Sequence, residues 1–84
     1  MRFDATTLHD NSHLVRVFMD EGQSYDRMIV VTVSGDTLFL QGWVGKPLTP
    51  AQWRHAAREL FPNAKRVQFE RRGPRGIRQV ELTL

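Results

Sequence analysis

The chain has 84 residues, no cysteine, a hydrophobic share of 40% and a net charge of +3. A chain of this length suits one small domain, which buries about 60% of its unfolded surface and has modest stability. Its hydrophobic share is too high for a disordered chain, disulfide staples are excluded, and no run approaches the roughly 18 apolar residues of a membrane span.

The first twenty residues carry no apolar h-region, so no signal peptide is expected. A cysteine-free chain fits a reducing, cytoplasmic setting. Residues 1–13 are polar and lack a sustained period, so an irregular N-terminal arm is expected there, ahead of a single α+β domain over residues 14–84. Leu14–Met19 alternates and reads as a strand with one more buried face. Asp20-Glu21-Gly22-Gln23-Ser24 is a turn cluster.

Tyr25–Ser34 is the strongest strand. Ile29, Val30, Val31, Thr32 and Val33 are all β-branched, which favours extended backbone. Apolar residues at both parities predict a central strand covered on both faces. Gly35-Asp36 is a two-residue turn whose leading glycine suits type II′ geometry, so Thr37–Val44 is expected to fold back as the antiparallel partner.

Thr49-Pro50-Ala51-Gln52 is a capping box with proline at the first helical position. Trp53, Ala56, Ala57, Leu60 and Phe61 then form one apolar stripe, and Pro62-Asn63 stops the helix. Lys65–Arg71 and Ile77–Leu84 alternate as two further strands around the turn Arg72-Gly73-Pro74-Arg75-Gly76. The expected order is β-β-β-α-β-β: a small α+β domain with a mostly antiparallel sheet and one helix packed on one face. Trp53, Phe61 and Phe69 fall in phase with the core faces.

That element order resembles the central part of the GCN5-related acetyltransferase fold. The family holds the pyrophosphate of acetyl-CoA in the loop between its strand and helix, with the pattern Arg or Gln, two residues, Gly, one residue, Gly or Ala. The loop here is Gln41-Gly42-Trp43-Val44-Gly45-Lys46-Pro47-Leu48-Thr49. Counted from Gln41, the glycine position holds Val44. Counted from Gly45, the small-residue position holds Pro47, which has no N–H. The resemblance thus covers element order and no motif, and it implies a reduced acyltransferase-like domain as one functional alternative.

Charge is divided unevenly along the chain. Residues 1–45 hold three arginines against six acids, and residues 46–84 hold nine basic residues against three acids. Lys65, Arg66, Arg71, Arg72, Arg75 and Arg78 lie within fourteen residues, with Glu70 the one acid among them. Such a cluster suits phosphates or another acidic surface. Trp43, beside two glycines at a strand end, is a candidate for stacking on a base or anchoring a partner. Gly45, Lys46 and Thr49 precede a helix N-terminus and form a candidate anion site.

Other chemistry has little support. Gly42–Lys46 lacks the spacing of a phosphate-binding P-loop and has proline after its lysine. His9 and His13 would share a side of a helix, but no cysteine completes a metal site. Ser12, Ser24 and Ser34 lack a nucleophile elbow, and the adjacent acids Asp20 and Glu21 read as a solvated turn. No catalytic residue, metal or cofactor is assigned. The leading expectation is a non-enzymatic interaction module that binds a protein or nucleoprotein partner through the basic C-terminal hairpin. A sequence-tolerant nucleic-acid binder is the alternative. No membrane partner is expected, a homodimer suits so short a chain, and its brevity suits a bacterial or phage accessory protein.

Overall fold

A computed structural model describes residues 1–19 and 24–84 of the chain. Six strands and one helix follow in the order β1 (Arg2–His9), β2 (Ser12–Phe18), β3 (Arg27–Ser34), β4 (Thr37–Val44), α1 (Pro50–Leu60), β5 (Arg66–Gly73) and β6 (Gly76–Thr83). They form one six-stranded sheet whose spatial order is the chain order. Neighbours are antiparallel except β4 and β5, which the α1 crossover makes parallel. The α+β class and the single helix on a mostly antiparallel sheet are as the sequence predicts. Among the described residues no helix is long and apolar enough to cross a membrane.

One strand more is present than expected. Residues 2–9 are not an irregular arm but an edge strand, paired with β2 from Arg2↔Phe18 to His9↔Ser12. Its polar sequence hides it, because an edge strand needs few apolar anchors. Phe3 is the one residue of β1 buried in the core, and its ring meets the edge of His55 on α1 at 5.1 Å. On the opposite face the Arg2 guanidinium lies 4.0 Å over the Phe18 ring, and Arg16 Nη1 donates to Thr6 Oγ1 at 3.0 Å. Residues 20–23 of the expected turn Asp20–Ser24 lie outside the described residues, as does the acid pair Asp20-Glu21.

The expected β3–β4 hairpin is present, with Ser34 opposite Thr37 across Gly35-Asp36. Gly35 has φ of 59° while Asp36 keeps a negative φ, which fits a type II′ turn and rules out type I′. The expectation that β3 is covered on both faces is corrected. Helix α1 covers one face only, where Ile29 and Val31 are buried with Val15, Val17, Leu38 and Val67. On the other face Met28, Val30 and Thr32 are only half-buried, shielded by their cross-strand neighbours on β2.

Helix α1 is built as its sequence prescribes. Thr49 Oγ1 accepts from the Gln52 N–H at 3.2 Å, and Gln52 Oε1 accepts from the Thr49 N–H at 3.0 Å. Trp53, Ala56 and Ala57 form the buried stripe, and Phe61 is the C-cap. Thr49→Ala removes the acceptor of this box and is expected to cost about 1 kcal/mol. Chemical denaturation would measure it, and a loss below a few tenths would mean that tertiary packing alone fixes the helix start.

Candidate functional site

The one parallel pairing of the sheet is short. Strands β4 and β5 are matched only at Thr37↔Arg66, Leu38↔Val67 and Phe39↔Gln68. Beyond that point they part. A bulge in β4 accompanies the separation: Val31 faces Leu40 and Val30 faces Gly42, leaving Gln41 as an extra residue. A bulge bends its strand and increases local twist. It also sets Leu40 opposite Val31 and Trp43 opposite Ile29, so both apolar side chains stay on the α1 side of the sheet.

Past Gln68, β5 is paired among the described residues with β6 alone. The two continue as a two-stranded arm to the pair Gly73↔Gly76, with Pro74-Arg75 as the turn. Every residue from Glu70 to Gln79 is exposed. The expected five-residue turn is therefore tighter than the sequence suggested, and Arg71 and Arg72 lie within a strand rather than beside or in a loop. Arg71 stands directly opposite Arg78. Like charges facing each other across a ladder destabilise it, and no acid among the described residues pairs with either. Among the described residues, none of Arg71, Arg72, Arg75 and Arg78 forms an ion pair; the arginines that do are Arg27 and Arg66.

Where β4 and β5 diverge, a cleft of about 570 Å³ opens, lined by Phe39, Trp43, Phe69, Arg71 and Arg72 among others. Trp43 reaches across to Phe69, with the rings edge to face at 5.7 Å. Trp43 is 38% exposed, whereas Trp53 is 2% exposed. The fold thus brings Trp43 next to two of the basic residues singled out from the sequence.

It does not bring all six basic residues together. Lys65 and Arg66 lie at the opposite end of the hairpin. The Lys65 N–H donates to the Asp36 carbonyl at 2.7 Å, and the Arg66 guanidinium lies 3.6 Å from the Asp36 carboxylate and 3.8 Å from that of Glu81. The Arg66 charge is locally balanced, the Lys65 ammonium forms no ion pair among the described residues, and the unbalanced positive surface of the arm is Arg71, Arg72, Arg75 and Arg78.

The loop Gly45-Lys46 and the cap Thr49 form a separate feature. Gly45 has φ of 94° and packs against the Asp26 carbonyl, so its glycine has a structural cause. Pro50 has no N–H, and Thr49 already occupies that of Gln52. The helix N-terminus is left with few donors for an anion. His9 and His13 do not share a helix; they sit on β1 and β2 around the Asp10-Asn11 turn. His9 Nε2 lies 3.1 Å from Asp10, and the His13 ring packs on Phe61 at 5.4 Å. No cluster of three potential metal-binding residues occurs among the described residues.

The sequence reading missed the cleft and the part of Phe39, Gln68 and Phe69 in it. One signal was present: Leu38 and Leu40 keep a two-residue period that breaks before Trp43, as a bulge requires. Comparison with protein-family models, curated proteins and solved structures finds no match.

Proposed function

We propose that this chain is a non-enzymatic interaction module that binds the phosphate backbone of a nucleic acid, bare or within a nucleoprotein, through the β5–β6 arm. The observation that carries this reading is the group of four arginines that form no ion pair among the described residues, on a ribbon that extends beyond the β4–β5 pairing, with Arg71 facing Arg78. A phosphate between two guanidiniums turns their repulsion into attraction. The arginine fork suits phosphate in particular, because it offers paired N–H donors in a fixed plane. Two-stranded ribbons are also of a size to enter a nucleic-acid groove.

The combined change Arg71→Ala, Arg72→Ala and Arg75→Ala tests it. Each phosphate contact on duplex DNA contributes about 0.9 to the slope of log affinity against log salt. The triple variant is expected to lower that slope by about 3 and to weaken binding steeply at low salt. All three side chains are exposed, so circular dichroism and the denaturation midpoint should stay near those of the parent. A parent protein that binds neither DNA nor RNA at low salt overturns the reading.

A second reading, a reduced acyltransferase-like domain, is favoured by one feature: the parallel β4 and β5 part beside the loop that leads into α1. Calorimetric titration with acetyl-CoA separates the two. Acetyl-CoA binding that survives the triple arginine change would support the second reading, and its absence, with salt-dependent nucleic-acid binding, the first.

A further inference from the structure

We infer that the β4–β5 cleft receives an unpaired base, so that the arm prefers single-stranded nucleic acid to duplex. This inference rests on the phosphate-binding reading of the arm and adds the form of nucleic acid. Arginines on a ribbon account for affinity to any polyanion but do not distinguish a single strand from a duplex. The cleft beside them does. Arg71 and Arg72 belong both to the arm and to the cleft lining, so a strand held by them passes over the cleft mouth. Successive residues of a strand point to opposite faces. The two guanidiniums therefore leave opposite faces of the β5 wall of the cleft, and a strand that crosses this wall can meet one with the phosphate before a nucleotide and the other with the phosphate after it.

The cleft interior suits a base better than a phosphate. Phe39, Leu40, Trp43 and Phe69 give it an apolar patch, three of the four aromatic, within an otherwise polar lining, and Glu70 places a negative charge at its wall. That charge repels phosphate and offers an acceptor to an exocyclic amine. Trp43 is braced edge to face by Phe69, yet 38% of its surface remains uncovered. A rigid, partly exposed indole is a stacking platform that loses little entropy when a base lies on it. Gln41 and Gln79 line the same cleft with amide groups able to meet base edges. A volume of about 570 Å³ is ample for one nucleobase. In a duplex the bases are stacked and paired, and turning one out costs energy that a single strand does not spend.

The two tryptophans make the test direct. Trp53 is buried at 2% exposure, so a change in fluorescence or in iodide quenching on adding ligand reports Trp43. Mixed-sequence 12-nucleotide DNA and RNA single strands, and the same DNA as duplex, are titrated at equal phosphate concentration. The expected result is quenching by the single strands, protection of Trp43 from iodide, and affinity at least ten-fold above that for duplex. Trp43→Ala should lower single-strand affinity about ten-fold, the usual scale of one lost stack. It should leave duplex affinity and the salt slope unchanged, and Trp43→Phe should retain most of the binding. Equal affinity for both forms, or single-strand binding without a Trp43 signal, overturns this inference and leaves the arm reading standing. No binding of either form overturns both. If Trp43→Ala does not fold, iodide protection in the parent protein decides the matter alone.

Discussion

Trp53→Ala is expected to destabilise the protein by about 3–5 kcal/mol, the range for removing a large buried aromatic. The indole is 2% exposed and stands at the head of the buried stripe of α1. Its companions on that stripe, Ala56 and Ala57, are small, so the helix has no other large buried side chain with which to hold the sheet. Around Trp53 lie Ile29, Leu40, Leu48 and Phe69, fixed to strands or to the loop before the helix. Side chains on a hydrogen-bonded sheet cannot collapse far into a vacated volume, which puts the cost at the upper part of the range. At roughly 0.05–0.15 kcal/mol per residue, a domain of this size has a total stability of about 4–13 kcal/mol. One substitution therefore removes a large fraction of it. Urea unfolding should show a much lower midpoint with little change in slope, and Trp53→Phe should recover most of the loss. A cost below about 1 kcal/mol for Trp53→Ala would contradict this account of the core.

The same helix shows which features the sequence makes legible. Thr49, Pro50 and Gln52 act through neighbours three residues away, so the capping box can be read locally, and it forms as written. The Gly35-Asp36 turn is equally local. Strand β1 is different: its place depends on Phe3 meeting His55, 52 positions later in the chain, and on Arg2 covering Phe18. Polar strand residues at an edge leave no periodic signal. The cleft was hidden for a related reason. It exists because two strands pair for three residues and then separate, and neither strand alone records where its partner leaves. Charge clustering was legible only as a count. The fold divides it, anchoring Arg66 between Asp36 and Glu81 while leaving Arg71 and Arg78 face to face.

Gly45→Ala should be the most costly of the substitutions at the described loop glycines, at roughly 2–6 kcal/mol. Two terms combine. A backbone φ of 94° is unfavourable for any residue with a Cβ, at about 1–3 kcal/mol. The added methyl would also stand 2.7 Å from the Asp26 carbonyl oxygen and 3.0 Å from Arg27 Cγ, and such overpacking costs about 1–3 kcal/mol. Neither neighbour yields easily. Asp26 is backbone, and its N–H donates to the Val17 carbonyl at 3.1 Å. Arg27 is 8% exposed, with Nη1 donating to Gln52 Oε1 at 3.2 Å and Nη2 to Met19 Sδ at 3.0 Å. Since Gln52 Oε1 also accepts from the Thr49 N–H, this close approach ties the start of β3 to the cap of α1. Gly35→Ala is the internal comparison. Its φ of 59° carries a strain of about 1–2 kcal/mol, but nothing lies within 4 Å of the added methyl. Denaturation should therefore rank Gly45→Ala below Gly35→Ala in stability by at least about 1 kcal/mol, the smallest overpacking cost. Trp43 is two residues from Gly45, so the displaced loop should also raise iodide access to its indole. Equal costs for the two substitutions, with Trp43 unchanged, would mean that the loop shifts to make room and that the tie between β3 and α1 is not rigid.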